Sequence, residues 1–319
     1  DNDNKNKNQE GAARVSLQAE NFRRILVTLN DDVRIVLIKL ADRLHNVRTI
    51  QFMPEYKRDK ILSETMFLFI PLAHRLGLYS IKSEMENIWL KYREPAAYAA
   101  IEKQLARTMD ERAQSIEEFI APIRAELDKA GYSYTLLKRL KTPYSIWKKM
   151  NTKNIPFEQI FDIYAVRIIF DLKPDHTERE QCWHIFTLIT GLYKYKPDRT
   201  RDWVDKPKAN GYEALHLTVM GNGGNWVEVQ IRSQRMNAIA ERGIAAHWRY
   251  KDAGITEDSG SEIDRWLQQV SEILENPDID AMRFLDEFHQ ELITSSIYVF
   301  TPQGESKSLP KGYTALHFA

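Results

Sequence analysis

Residues 157–170 read FEQIFDIYAVRIIF, and the class of the fold turns on that run. It is dense in β-branched and aromatic residues, which suit a pleated, half-buried surface better than a helix. Two later runs support a strand there. ALHLTVM (214–220) and WVEVQIRS (226–233) alternate apolar and polar residues at period two. Helical stretches lie between and after them: YSIWKKM (144–150), REQCWHIFTLITGLY (179–193) and QRMNAIAERGIAAHWRYK (234–251). Strands interleaved with helices predict a mixed α/β unit of about 120 residues.

Upstream the texture is different. From Ala19 to about Leu127 apolar residues recur at three and four, and Gly77 is the one internal glycine. In DDVRIVLIKLADRLHNVRTI (31–50), Val33, Val36, Leu37, Leu40, Leu44 and Val47 share a face, and Asp31 or Asp32 can cap the start. Ile35, Ile38, Asp42 and Asn46 occupy another face, so this helix is expected to be largely buried. Further helices are expected in 57–78, kinked at Pro71, in 81–92, and in a long charged stretch from Tyr98 that ends near Gly131. The whole is α+β: an all-helical part, then a mixed sheet.

Composition narrows the function. Lys plus Arg number 45 and Asp plus Glu 45, so net charge is zero and nucleic-acid binding over the whole surface is disfavoured. Basic character must be local. The single Cys182 excludes an internal disulfide and fits a reducing, cytoplasmic setting. No apolar run approaches the ~20 residues of a membrane span. The polar start DNDNKNKNQEG and the final IYVFTPQGESKSLPKGYTALHFA, which begins a strand–turn–strand unit, read as the ends of a piece cut from a longer protein.

Four clusters could carry chemistry. Asp42 and Asn46, four apart on one helix face, suit either a salt bridge to a neighbouring helix or part of a metal site. KRLKTPYSIWKKMNTK (138–153) holds Lys138, Arg139, Lys141, Lys148, Lys149 and Lys153 with no acid, around a helix start at Pro143 that places Ser145 in its first turn. Such a start suits a polyphosphate, although a solvated basic face has the same composition. Asp162 and Glu228 stand among apolar neighbours in two strand-like runs, where they could share a divalent cation or divide the roles of ligand and base. Arg199, Arg201, Lys206 and Lys208 precede Tyr212, His216 and Thr218, which face away from Leu215, Leu217 and Val219. Aromatic rings beside cations hold nucleotides by stacking and charge-assisted phosphate bonds. GNGG (221–224) is a turn between strands and lacks the Lys-Ser/Thr of a P-loop. Together these suit transfer between two nucleotides.

RLKTPYSIWKKM, IFDIYAVRI, PKANGYEALHLTV, VEVQIRS and GIAAHWRYK, in this order, closely resemble the synthetase domain of RelA/SpoT homologues, the (p)ppGpp synthetases and hydrolases. VRIVLIKLADRLHNVRTI and IPLAHRLGLYSIKSEMENI resemble the C-terminal half of the family's HD hydrolase domain, and IYVFTPQGESKSLPKG the start of its TGS domain. The resemblance divides the chain into a polar tail without fixed structure (1–18), a hydrolase remnant (19–95) and a connecting helix (96–130). A nucleotidyltransferase-like synthetase domain (131–252), a linker and helix (253–294) and a truncated TGS start (295–319) follow.

The resemblance implies transfer of the β,γ-pyrophosphate of ATP to the 3′-hydroxyl of GDP or GTP, with Mg2+. Arg139 and Arg167 would sandwich adenine, and Lys141, Ser145 and Lys149 would hold the ATP phosphates. Asp162 would bind Mg2+, and Glu228 would bind the metal or act as base. Tyr212 would stack on guanine, while Lys208, Asn210, His216 and Gln230 line the acceptor site and Arg199 and Arg201 keep the basic character of bifunctional members. The intact parent would also hydrolyse (p)ppGpp with Mn2+, through Asp42 as ligand and Asn46 as nucleotide contact. The remaining ligands of that site do not occur before Asp42, so hydrolysis is not expected of this chain. Ribosome and tRNA would be partners of the parent; no membrane is expected. Two rivals remain: a catalytically silent nucleotide-binding regulatory fragment, and a nucleotidyltransferase that releases pyrophosphate.

Overall fold

The computed structural model describes residues 34–160, 162–208, 210–221, 224–243, 297–300 and 306–309. The predicted tail and the expected helices after Gly243 fall outside them. Helices come first: α1 (Arg34–Arg48), α2 (Glu55–Glu64), α3 (Ile70–Arg75), α4 (Tyr79–Arg93) and the long α5 (Pro95–Lys129). A π-helical turn over Thr65–Phe69 leads into α3, where Pro71 stands in the first turn without a hydrogen to donate.

Helix α1 buries one stripe, Val36, Leu40, Leu44 and Val47, at the four- and three-residue spacing of a helical face. Its expected second buried face is not seen. Ile38 is 67% exposed and Asp42 is exposed among the described residues. One stripe is enough to close the packing with α2 to α4, and Arg43 ties α1 to α2 through Glu64 at 2.8 Å.

The sheet that follows has five strands in the order β1-β2-β5-β4-β3: β1 (Tyr134–Leu140), β2 (Tyr164–Phe170), β3 (Arg201–Asp202), β4 (Leu215–Met220) and β5 (Trp226–Ser233). Pair β2–β5 is parallel and the others antiparallel. Strand β1 carries too little alternation to be singled out from the sequence. Helices α6 (Pro143–Lys153), α7 (Glu178–Leu192) and α8 (Gln234–Arg242) complete the unit. Its α7 starts with a full capping box between Thr177 and Glu180. The segments 297–300 and 306–309 form a separate antiparallel hairpin.

Register sorts the sheet into two faces. Val166, Ile168, Leu215, Leu217, Val229 and Ile231 pack with Phe119, Ile120 and Ile123 of α5 and Cys182, Ile185 and Ile189 of α7 in one core. The reverse face carries the polar residues. Asp162 sits just before β2, in a turn and partly exposed, where strand placement and burial were expected. There its carboxylate meets Lys141 and Lys149.

The turn between α3 and α4 meets the end of α8 through backbone alone. A Cβ on Gly243, whose φ is +53°, would lie 2.2 Å from the Leu76 carbonyl oxygen. No side-chain rotation relieves a backbone clash of that kind. Gly243→Ala is therefore expected to lower stability by about 2 kcal/mol or more. Equilibrium thermal unfolding measures it, and an unchanged midpoint would show that the two elements do not meet this closely.

Candidate functional site

The polar face is laid out by the ladder. Glu228 lies beside Ala165 of β2 and Thr218 of β4; Gln230 lies beside Arg167 and His216; Arg139 pairs with Ala165 from β1. Period two along β5 thus puts Glu228, Gln230 and Arg232 in a row, flanked by cations on one side and His216 on the other.

These side chains close a ring. Gln230 Nε2 donates to Glu228 Oε1 at 2.6 Å, while Arg232 Nη2 donates to Gln230 Oε1 at 2.9 Å and to the Tyr212 hydroxyl at 2.7 Å. The Tyr212 hydroxyl lies 2.7 Å from His216 Nε2, and His216 Nδ1 lies 3.8 Å from Glu228 Oε1. Since the tyrosine oxygen already accepts from Arg232, its own proton goes to Nε2. The imidazole proton then sits on Nδ1, towards Glu228. Burial, reinforced by Arg232, Lys208, Arg139 and Arg167, lowers the His216 pKa to about 3. The approach to Glu228 is therefore not an ion pair at neutral pH.

Arg232 is 1% exposed and forms no salt bridge among the described residues; its Nε and Nη1 have no hydrogen-bond partner. Burial lowers its pKa to about 10. It lies 5.1 Å from the Tyr212 ring centroid and holds the tyrosine by its hydroxyl. A buried guanidinium without a salt bridge is costly. Lys208 Nζ lies between two rings, 4.8 Å from Trp203 and 4.9 Å from Tyr212. Burial lowers its pKa, opposed by Glu228.

A second cluster forms at the start of α6. Thr142 caps the helix by accepting from the Ser145 amide, and its hydroxyl donates to Ser145 Oγ at 2.9 Å. Lys141 Nζ donates to Asp162 Oδ2 at 2.7 Å, and Lys149 Nζ donates to Oδ1. Burial alone would raise the Asp162 pKa, but the two lysines outweigh it and bring it down to about 2. Asp162 is thus a carboxylate with both oxygens on ammonium groups.

Between sheet and helices lies a cavity of about 480 Å³. Of the predicted site residues, Arg139, Arg167, Lys208, Tyr212, His216 and Gln230 line it. Arg167 donates to Glu241 of α8 at 2.6 Å. Tyr212 lines the cavity with little of its surface open, being 9% exposed. Several predicted residues are not on the cavity wall: Lys141, Ser145, Lys149, Asp162 and Glu228, and Asn210, which is 8% exposed. Arg199 and Arg201 are exposed and also off that wall, and Arg201 Nη1 donates to the carbonyls of Asp198 and Thr200. Asp42 accepts from Asn46 at 3.2 Å on an exposed face of α1.

The sequence reading missed Arg232, Glu241 and Tyr79 of α4, which also lines the cavity. Arg232 had a signal, its place on the Glu228 and Gln230 face. The other two come from distant segments and carry none. Among the described residues no group of three or more His, Cys, Asp or Glu could hold a metal. No described helix is long and apolar enough to cross a membrane.

A family model described as a region found in RelA and SpoT proteins matches residues 138–255, and a model of the HD domain matches residues 1–79. The chain is 39% identical over 302 residues to a GTP pyrophosphokinase of Myxococcus xanthus, covering 95% of this chain and 39% of that protein. It is 38% identical over 303 residues to the bifunctional (p)ppGpp synthase/hydrolase SpoT of Escherichia coli, covering 95% and 42%. The chain thus spans about two-fifths of the length of these relatives. Among solved structures, the small alarmone synthetase 1 of Bacillus subtilis bound to its product pppGpp matches with a TM-score of 0.34 and 23% identity. That match covers 58% of this chain and 95% of that one.

Proposed function

The chain belongs to the RelA/SpoT family, and from that premise we propose that its cavity is the site of a (p)ppGpp synthetase. It transfers the pyrophosphate of ATP to the 3′-hydroxyl of GDP or GTP. The observation that carries this reading is the ring of Glu228, Gln230, Arg232, Tyr212 and His216, whose last four members line a cation-bearing cavity while Glu228 is tied to them through Gln230. An acceptor nucleotide needs a carboxylate near its hydroxyl, an aromatic ring for its base and cations for its phosphates. Glu228 beside the wall, and Tyr212 and the cations Arg139, Arg167 and Lys208 on it, are what support the reading.

The roles are those that the family resemblance implies. Arg139 and Arg167 face the adenine of ATP, and the Arg167–Glu241 contact sets the plane of that guanidinium. Lys141, Ser145 and Lys149 stand at a helix start, where backbone amides and ammonium groups favour the triphosphate. Lys208, Tyr212, His216 and Gln230 take the acceptor, Asn210 supports Tyr212 from behind, and Arg199 and Arg201 lie at the outer rim. Glu228 accepts the proton of the 3′-hydroxyl; its Oε1 is turned and held by Gln230. Neutral His216 adds no positive charge beside that carboxylate. Such a transfer rests on positioning and charge neutralisation.

Family membership implies a divalent cation, which we assign as Mg2+. Asp162 and Glu228 fit it as hard carboxylate donors, Asp162 being ionised throughout the neutral range, with substrate phosphates completing the shell. Once bound, the cation would neutralise charge developing on the transferred group. For the longer parent, Asp42 and Asn46 would belong to a Mn2+-dependent hydrolase centre, with ribosome and tRNA as partners and the cytoplasm as setting.

The test is product analysis. Chain incubated with ATP, GDP and Mg2+ is expected to yield guanosine tetraphosphate and AMP. Free pyrophosphate would instead identify a nucleotidyltransferase, and no turnover despite nucleotide binding a regulatory fragment.

A further inference from the structure

One wall of the cavity does not belong to the sheet domain. Tyr79, Ser80 and Ser83, from the first turns of α4, line it opposite Arg139, Arg167 and Gln230. Their placement is built, not incidental. A Cβ on Gly77 would lie 3.0 Å from the Gly243 Cα and 3.2 Å from the Asn210 carbonyl oxygen, so the turn before α4 sits against the site backbone to backbone.

Asn210 completes the junction. Its Nδ2 donates to the Tyr79 hydroxyl and, at 3.4 Å, to the His74 carbonyl, while its Oδ1 accepts from the Tyr212 amide at 3.3 Å. The ring of Tyr79 stands edge-on to that of Tyr212, with centroids 5.9 Å apart and planes at 76°. Arg232 and His216 hold Tyr212 at its hydroxyl; Tyr79 holds it at the ring.

We propose that Tyr79 is a positioning residue of the acceptor-nucleotide site, so that α4 of the helical region is a working wall of the synthetase pocket. This rests on the synthetase reading above. A purine can stack on Tyr212 only if the plane of that ring is set, and an edge-on partner sets it. Ordering the ring before the ligand arrives removes an entropy loss that binding would otherwise bear. The hydroxyl of Tyr79 matters because Asn210 fixes it, and through it the edge contact.

The experiment is calorimetric binding of GDP and, separately, of ATP to the unaltered chain, Tyr79→Phe and Tyr79→Ala. Thermal unfolding confirms that each variant is folded. Tyr79→Phe keeps the ring and loses the Asn210 link, and GDP affinity is expected to fall about threefold; Tyr79→Ala loses both, and the fall is about tenfold or more. ATP affinity stays within twofold. If Tyr79→Ala does not fold, the Phe variant alone decides. Equal losses for both nucleotides would reduce Tyr79 to a structural role, and unchanged GDP binding would remove any role. Tighter GDP binding would mean that α4 obstructs the site; each of these three outcomes overturns the proposal while leaving the synthetase reading intact. Failure of the unaltered chain to bind either nucleotide overturns both.

Discussion

Glu228→Gln is expected to stop turnover while both nucleotides still bind. The substitution preserves size and keeps an oxygen for Gln230, whose Nε2 donates to Glu228 Oε1 at 2.6 Å. It removes the one carboxylate of the ring, and hence the proposed acceptor of the 3′-hydroxyl proton. Loss of a positioned base lowers rate by about 10²–10⁴-fold, and loss of a metal-binding carboxylate adds to that. Cation contacts from Arg139, Arg167 and Lys208 are untouched, so GDP and ATP dissociation constants should move by no more than about threefold, on the order of 0.7 kcal/mol. Single-turnover kinetics with direct binding separate the two quantities. Turnover within tenfold of the unaltered chain would remove Glu228 from the chemistry.

What could be read in advance follows the range of each interaction. Strands β4 and β5 are legible because period two is local: it places Glu228 with Gln230 on one strand face and His216 with Thr218 on another, and the register of the sheet then brings the two together. The start of α6 is legible for the same reason, from Pro143 at the first turn; the cap by Thr142 is added by the structure. Asp162 reads as a strand residue because the apolar run around it continues through a turn, and its two lysine partners are not signalled by that run. Ile38 misled in the opposite sense: an apolar residue on a second helix face need not be covered. Tyr79 and Asn210 are 131 positions apart, and Arg167 and Glu241 are 74 apart. No local pattern encodes such pairs; the first exists only once the helical region is docked on the sheet unit, the second only once α8 is packed on β2.

Asp162→Asn is expected to damage both activity and stability at neutral pH, and the stability effect vanishes in acid. In the resting site Asp162 holds Lys141 and Lys149 near each other. With Asn the two ammonium groups face one another without a counter-charge, and a carboxylate donor for the divalent cation is gone. kcat/KM should fall at least about hundredfold, as for removal of a group that acts on developing charge. For stability, the sign is set by a folded pKa of about 2, below the ordinary carboxylate value. The stabilisation is complete above about pH 4, where the unfolded group is also ionised, and is lost as pH falls towards 2. The size is about 2 kcal/mol after allowance for the partial exposure of all three side chains. Unfolding free energies of the two chains should therefore differ most at pH 5–7 and converge by about pH 2. Because Asn cannot titrate, the convergence isolates this one carboxylate from all others that protonate in the same range. A gap that persists unchanged at pH 2 would mean that Asn disturbs packing rather than charge. No gap at neutral pH would mean that the lysines do not depend on Asp162, leaving it free for the cation alone.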